Sequence, residues 1–226
     1  MSESYCLIGS PIDHSPSPAM HNAGFNTLGL DAHYHLRPTG PESVDSVWQD
    51  LLKETLTGCN VTTPLKQYAS QACEGSARVE RARSGNTVYR ANGRLRVEST
   101  DVDGVRIPLM HRGVSGGDAL LLGAGGAARA AALALEELGA TVHVAARDPA
   151  KASALLEQVA PRPRGRALAL NDLERDRTLT GSLSVVDQSN TNGRRGGPRP
   201  IPGARGPGGG GAGAMSCAGR PHDRGR

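Results

Sequence analysis

The stretch that most constrains the fold is residues 118–159, which read DALLLGAGGAARAAALALEELGATVHVAARDPAKASALLEQV. An apolar run of strand length is followed by a glycine-rich turn, an alanine- and leucine-rich run of helical length, and a second apolar run. Because parallel strands need a long crossover connection, this order predicts two parallel strands joined by a helix. The run PAKASALLEQV predicts one further helix on the same sheet.

The turn inside this unit places Gly123, Gly125 and Gly126 directly before the helix. Glycines let the backbone approach a pyrophosphate, and the helix start offers free N–H groups and the positive end of its dipole. The spacing is similar to that of a dinucleotide-binding loop, although Ala128 replaces the usual last glycine. A tight turn without a ligand is the alternative. The candidate cofactor-binding residues of the loop are Gly123, Ala124, Gly125, Gly126 and Ala127.

The end of the second strand bears on the choice of cofactor. NAD-binding chains carry an acidic residue there, whereas this strand ends at Ala146 and Arg147. An arginine suits the 2′-phosphate of NADP, so the sequence favours NADP, with Lys151 counted as a second basic candidate. Asp148 either repels that phosphate or caps the next helix. An exposed strand-end arginine is the alternative for Arg147.

The part of the chain before this unit also alternates between strand and helix patterns. Strands are predicted in SYCLIGSP, AHYHLRP and LTGCNVTTPLK, and a hairpin in NTVYRANGRLRVEST with its turn at ANGR. Helices are predicted in SPAMHNAGFNTLGL (with a serine cap and a proline in its first turn), ESVDSVWQDLLKE, YASQACEGSARVERARS and the connecting segment TDVDGVRIPLMHRG. Such alternation indicates an α/β domain with a largely parallel sheet.

Lysine is rare in this chain, which makes each lysine informative. Of 26 basic residues, only Lys53, Lys66 and Lys151 are lysines. A lysine can give up its proton near neutral pH when its surroundings depress its pKa, whereas an arginine cannot. Lys66 follows the hydroxyl and amide side chains of GCNVTTP and is therefore a candidate for proton chemistry. A surface lysine beside a turn is the alternative.

Four motifs together resemble the shikimate dehydrogenase family: GSPIDHSPSPAMHN, GCNVTTPLK, GNTV with STDVDG, and GAGGAARA. The resemblance covers roughly residues 5–187. It implies a substrate-binding domain at 1–103, a Rossmann-like NADP-binding domain at 104–190, and a cleft between them. There the family reduces 3-dehydroshikimate to shikimate, a step of aromatic amino acid biosynthesis.

The resemblance also implies roles for individual residues. Lys66 matches the catalytic lysine of the family, and Asp101 matches the aspartate that partners it. The substrate-binding positions that it implies are Ser15, Ser17, Asn60, Thr62 and Asn86, with Asn60 in a supporting place. For the two serines, ordinary helix capping is the alternative.

Three short segments depart from the family pattern. The family usually has Gly-Ala-Val before its Asn-Thr, where this chain has Arg83, Ser84 and Gly85. Ser99-Thr100 replaces the usual Asn-Thr before Asp101. The common Asn-Arg-Thr after the second strand is Ala146-Arg147-Asp148, which weakens part of the expected phosphate clamp.

Residues 191–226 differ in composition from the rest of the chain. They hold 12 glycines, seven arginines and five prolines, and their net charge is +6. Since the whole chain carries +4, residues 1–190 carry −2. Such a composition does not bury enough apolar surface to fold. The sequence therefore predicts a disordered or out-of-frame tail attached to an incomplete cofactor domain, with impaired activity. A native arginine- and glycine-rich arm is the alternative.

The remaining composition excludes several classes of protein. The four cysteines are scattered, which indicates a reduced cytoplasmic protein without a zinc site or disulfide framework. His14 and His21 have no third ligand nearby, so no metal is expected. The chain opens without a targeting pattern, and its most apolar region, 119–135, is interrupted by glycines and Arg129.

The expected partner is a small-molecule substrate, and binding to a membrane or to nucleic acid is not expected. The expected oligomeric state is a monomer or homodimer. Two alternatives stay open: a quinate/shikimate dehydrogenase-like enzyme, and an inactive relic whose basic tail binds nucleic acid.

Overall fold

The computed structural model describes residues 2–159, residues 165–173 and the backbone of residues 184–187. The predicted tail at 191–226 lies outside the described residues. The elements that build a first, six-stranded sheet are β1 (Glu3–Gly9), α1 (Ser17–Leu28), β2 (Ala32–Pro38), α2 (Val44–Leu52), β3 (Gly58–Val61), α3 (Lys66–Ala72), β4 (Glu74–Gly75), α4 (Ala77–Ala82), β5 (Thr87–Ala91) and β6 (Arg94–Glu98). The elements that build a second, four-stranded sheet are α5 (Thr100–His111), β7 (Asp118–Leu122), α6 (Gly126–Glu137), β8 (Thr141–Ala146), α7 (Pro149–Val159), β9 (Ala167–Ala169), a short 3₁₀ turn (Leu170–Asp172) and β10 (Ser184–Asp187).

The first sheet has the strand order β2-β1-β3-β5-β6-β4. Strands β1, β2 and β3 run parallel to one another, as the strand–helix alternation predicts. Strand β5 runs antiparallel to both β3 and β6. The sheet is therefore mixed. Strands β5 and β6 form a hairpin that turns tightly through Asn92 and Gly93, both with positive φ.

The core of the first sheet lies under α2 and α3. Helix α2 places its apolar residues at helical spacing, and the side chains that it buries are Val44, Val47, Trp48 and Leu51. They pack on the inner face of the sheet together with Cys6 and Cys59, which are neighbours on β1 and β3. Three cysteines of the described residues, these two and Cys73, are buried free thiols.

The predicted single helix over YASQACEGSARVERARS is wrong. The segment forms α3, the two-residue strand β4, and α4. The helix breaks where Cys73 takes an extended conformation, and Glu74–Gly75 then pairs with β6. A Cβ on Gly75 would stand 2.9 Å from a methyl carbon of Val79, so only glycine allows the chain to turn this closely into α4.

The second sheet is parallel throughout, with the order β10-β7-β8-β9. Helices α6 and α7 pack on it, and α6 buries alanine and leucine side chains along most of its length. The α/β class predicted from the sequence is confirmed. The predicted division between residues 103 and 104 falls inside α5, which packs closely on α6.

No helix in the described ranges of the chain combines the length and the apolar character that are needed to cross a bilayer.

Candidate active site

A cavity of about 330 Å³ opens at the carboxyl ends of β1 and β3. In a parallel sheet these strand ends meet at one edge, and the loops that follow them form the walls of the site. The side chains that line the cavity are Leu7, Ser10, Pro11, Ile12, His14, Ser15, Ser17, Thr62 and Thr63.

The loop after β1 approaches the loop after β3 through Gly9. A Cβ on Gly9 would stand 2.5 Å from a carbon of Thr62 and 2.8 Å from the carbonyl oxygen of Thr63. Its φ of +151° also lies where side-chain-bearing residues are rare. The Ser10 N–H then donates to the Thr63 carbonyl at 3.1 Å. Glycine at this position therefore joins the first two sequence motifs into one wall.

Ser15 and Ser17 lie on this wall at the start of α1. The Ser15 hydroxyl donates to the Ser17 hydroxyl oxygen at 3.0 Å. The Ser15 oxygen also accepts the Ser17 N–H at 3.3 Å. The predicted serine cap of α1 is wrong, because the residue at the cap position is Pro16, which supplies no side-chain hydrogen bond. The two hydroxyls thus lie side by side on the cavity wall.

Lys66 and Asp101 form an ion pair. The Lys66 Nζ atom lies 2.6 Å from Asp101 Oδ2. Lys66 begins α3, and Asp101 lies in the first turn of α5. The Lys66 side chain is 14% exposed and the Asp101 side chain 27% exposed, so the pair is largely sheltered but still accessible to a ligand.

Asn86 and Asn60 lie next to this pair and support it. The Asn86 amide donates to Asp101 Oδ1 at 3.1 Å and to the Thr100 hydroxyl at 2.8 Å. The Asn60 amide donates towards the Asn86 carbonyl at 3.3 Å, and its oxygen accepts the Tyr34 hydroxyl at 2.9 Å. Burial raises the pKa of the Tyr34 phenol, which keeps that donor protonated. Asn60 therefore uses its side chain for bonds inside the protein.

The glycine loop lies between β7 and α6. Nothing lies within 4 Å of the points where a Cβ would stand on Gly123 and Gly125, so open space adjoins this backbone. Gly125 is the residue before α6, and the helix is twelve residues long. Its first-turn N–H groups have no partners within the helix. The loop therefore fits the pyrophosphate of a dinucleotide.

Of the basic candidates, Arg147 directly follows β8 and Lys151 lies in the first turn of α7. Arg147 is exposed, and within the described residues no hydrogen bond or ion pair engages its guanidinium. Asp148 caps α7, because its Oδ1 accepts the N–H of Ala150 at 3.0 Å and that of Lys151 at 3.4 Å. The Lys151 ammonium lies 3.9 Å from the Asp148 carboxylate. Arg147 thus remains available to an anion, while Asp148 has a structural role.

Sequence reasoning gave no role to two residues at the site. Tyr34 supports Asn60, and its ring stacks on His21 at 4.3 Å between centroids. Ser84 is fully buried and bonds to the first turn of α6. Ser84 was visible in the sequence only as a departure from the family pattern.

A second and larger cavity, of about 430 Å³, lies beside the β5–β6 hairpin. The carboxylate of Glu74, which lines this cavity, is already paired with Arg96. In the described part of the chain, no group of three or more histidine, cysteine or acidic side chains is arranged to hold a metal ion.

Comparison with known proteins gives consistent matches. A family model for the shikimate dehydrogenase substrate binding domain matches residues 7–88. The shikimate dehydrogenase (NADP(+)) of Halorubrum lacusprofundi is 42% identical over 163 residues, which are 69% of this chain and 60% of that protein. The enzyme of the same name from Halobacterium salinarum is 39% identical over 173 residues, 76% of this chain and 64% of that protein.

A solved structure shares the fold. The shikimate 5-dehydrogenase of Thermus thermophilus, in complex with NADP(H) and shikimate, matches with a TM-score of 0.70 at 34% identity. The match covers 83% of this chain and 68% of that chain. The matched part of the chain spans less than two thirds of the length of the Halorubrum and Halobacterium relatives.

Proposed function

The chain belongs to the shikimate dehydrogenase family, and from that premise we propose that it reduces 3-dehydroshikimate to shikimate with NADPH. The observation that carries the proposal is the Lys66–Asp101 ion pair. Lys66 follows the cavity-lining Thr62 and Thr63 by a few residues, and its side-chain stem adjoins the first turn of α6. Lys66 therefore links the segment that lines the cavity to the start of α6, which supports a role for the pair between substrate and cofactor.

The chemistry of the reaction requires a proton donor at this place. When bound, NADPH supplies the hydride to the carbonyl carbon of the substrate. Negative charge then develops on the carbonyl oxygen, and the Lys66 ammonium stabilises that charge and donates the proton that completes the alcohol. Asp101 holds the ammonium in place and accepts a hydrogen bond from a substrate hydroxyl.

Recognition of the substrate carboxylate falls to Ser15 and Ser17. Two adjacent hydroxyls donate hydrogen bonds to a carboxylate without adding a charge that competes for Lys66. Thr62 lines the same cavity and offers one further hydroxyl. Asn86 orients Asp101 and Thr100 through its side-chain amide, and the Asn60 amide holds Asn86 by donating to its backbone carbonyl.

Recognition of the cofactor falls to the glycine loop and the end of β8. The first turn of α6, with Gly123 and Gly125, would hold the pyrophosphate, and Arg147 would hold the 2′-phosphate. Lys151 would add a second positive charge for that phosphate. The expected assembly is a monomer or homodimer in the cytoplasm, which suits the buried free thiols of the described residues.

The test is conversion of 3-dehydroshikimate by the purified full chain in the presence of NADPH, with shikimate identified as the product. In the reverse direction, shikimate and quinate are compared as substrates with NADP. Oxidation of shikimate in preference to quinate supports the proposal. Absence of conversion in both directions, or a clear preference for quinate, contradicts it.

A further inference from the structure

We propose that Ser84 is a positioning residue that couples the cofactor loop to the Lys66–Asp101 pair. This inference rests on the proposed function, because it assigns Ser84 to the same site. The segment 84–86 contacts the lysine, the aspartate and the first turn of α6 through three consecutive residues.

Ser84 makes the contact with the cofactor loop. The backbone of Arg83 takes a left-handed conformation at the end of α4, and the next residue, Ser84, is fully buried. Its hydroxyl donates to the carbonyl oxygen of Gly126 at 2.9 Å. Gly126 is the first residue of α6, directly after the loop that is proposed to hold the pyrophosphate.

Gly85 and Asn86 make the contacts with the catalytic pair. The Gly85 N–H donates to the carbonyl oxygen of Lys66 at 3.0 Å. The Asn86 amide donates to Asp101 Oδ1 at 3.1 Å. Because Ser84 is joined to these two residues by peptide bonds, its bond to Gly126 ties α6 to both members of the ion pair.

Close packing at Gly126 makes this junction stiff. A Cβ on Gly126 would stand 3.2 Å from Lys66 Cβ, 3.3 Å from Lys66 Cδ and 3.2 Å from the Ser84 oxygen. The helix start therefore packs directly against both the stem of Lys66 and the Ser84 hydroxyl. A shift of α6 on cofactor binding is transmitted to Lys66, and the Ser84 hydrogen bond is the directional part of that contact.

The consequence is a mutual effect of the two ligands on each other's affinity. Ordering of α6 by NADPH orders Lys66 and Asp101 for the substrate, and the same factor acts in the other direction. The Gly126 carbonyl also has a place in the hydrogen-bond ladder of α6, so loss of the Ser84 hydroxyl does not leave it without a partner. Ser84→Ala is therefore expected to fold and to lose coupling.

The test uses the full chain with NADPH and shikimate, two reduced compounds that do not react with each other. The dissociation constant of shikimate is measured with and without saturating NADPH, and the ratio of the two gives the coupling factor. Ser84→Ala is expected to lower this factor about fivefold, the effect of one ordinary hydrogen bond, while the affinity for each ligand alone stays near the parental value. Ser84→Cys, with a weak donor of similar size, gives an intermediate factor.

Ser70→Ala is the matched control, because the Ser70 hydroxyl also donates to a backbone carbonyl, that of Gln67 within α3. It leaves the coupling factor unchanged. A merely structural role of Ser84 would lower both single-ligand affinities together and leave the ratio intact, which overturns the inference. A parental factor of one also overturns it, while binding of both ligands keeps the proposed function. A parental chain that binds neither ligand overturns the proposed function and this inference together.

Discussion

The ammonium group of Lys66 lies 2.6 Å from a carboxylate oxygen of Asp101, although 35 positions of the chain separate the two residues. Two different helices deliver them, since Lys66 begins α3 and Asp101 follows the first residue of α5. The second oxygen of Asp101 is held by Asn86, so the carboxylate is fixed at both ends. This arrangement orients the lysine without consuming all of its hydrogen-bond donors.

Lys66→Ala is expected to lower turnover of 3-dehydroshikimate on the order of a hundredfold or more, because the proposed proton donor is lost. NADPH affinity should stay near the parental value, since the glycine loop is unchanged. Steady-state kinetics and a direct NADPH binding titration separate the two effects. Lys53→Ala is the control, because Lys53 follows the end of α2 and takes no part in the site. Near-parental turnover in the Lys66 variant would remove this residue from the mechanism.

Asp101→Asn is expected to lower turnover on the order of tenfold or more, because an amide of nearly the same shape no longer offsets the charge of Lys66. Asp103→Asn is a matched control on the same helix, since Asp103 pairs with Arg78 and Arg106 instead. Turnover is compared at saturating substrate and cofactor. Equal losses in both variants would show that the effect belongs to α5 as a whole.

Arg147→Ala is expected to weaken NADPH binding by roughly 1.5 to 3 kcal/mol and to change NADH binding little, because only NADPH carries the 2′-phosphate. Binding titrations with both cofactors measure the difference. Arg112→Ala removes another exposed arginine, one at the end of α5, and should change neither affinity. If the Arg147 variant loses affinity for both cofactors equally, the arginine does not read the phosphate.

Asp103 supplies a pH-dependent part of the stability. A hydrogen bond from Arg106, together with the charge of Arg78, lowers the pKa of Asp103 below its ordinary value of 3.8. A carboxyl group with a lowered folded-state pKa stabilises the fold above its unfolded pKa, and this contribution is lost as the pH falls through the folded value. Asp103→Asn should therefore be less stable than the parent at neutral pH, by less than about 1 kcal/mol because the ion pairs of Asp103 are partly exposed to solvent.

The measurement for Asp103 is the free energy of unfolding of parent and variant over a series of pH values. The difference is expected to shrink in the acidic range below 3.8, where the parental carboxyl becomes protonated. A difference that stays constant across the whole series would show that the ion pairs of Asp103 do not cause it.

Local patterns in the sequence predicted most of the elements. The alternation in AHYHLRP coincides with β2, and the glycine-rich turn after DALLL coincides with the start of α6. These features depend on neighbours within a few residues, which a sequence displays directly. The break between α3 and α4 depends on the pairing of Glu74–Gly75 with β6, about twenty residues further along. No local pattern reveals such a contact, so the segment was predicted as one helix.

The same distinction applies to the site. The lysine and the aspartate were identified through their motifs, but neither spacing nor composition indicated the distance between them. Ser84 contacts Gly126 across 42 positions of the chain. A buried serine in a polar loop looks like any turn residue, so only the folded chain shows its partner.

The most direct test of the central claim uses NADPH in which both hydrogens on C4 of the nicotinamide are replaced by deuterium, together with 3-dehydroshikimate and the full chain. The account predicts shikimate that carries a single deuterium on the newly formed carbinol carbon, with one NADPH consumed for each shikimate formed. Mass spectrometry of the product gives the answer, and the Lys66→Ala chain serves as the blank. Shikimate without deuterium, or deuterated shikimate formed equally well by the Lys66→Ala chain, would contradict the account.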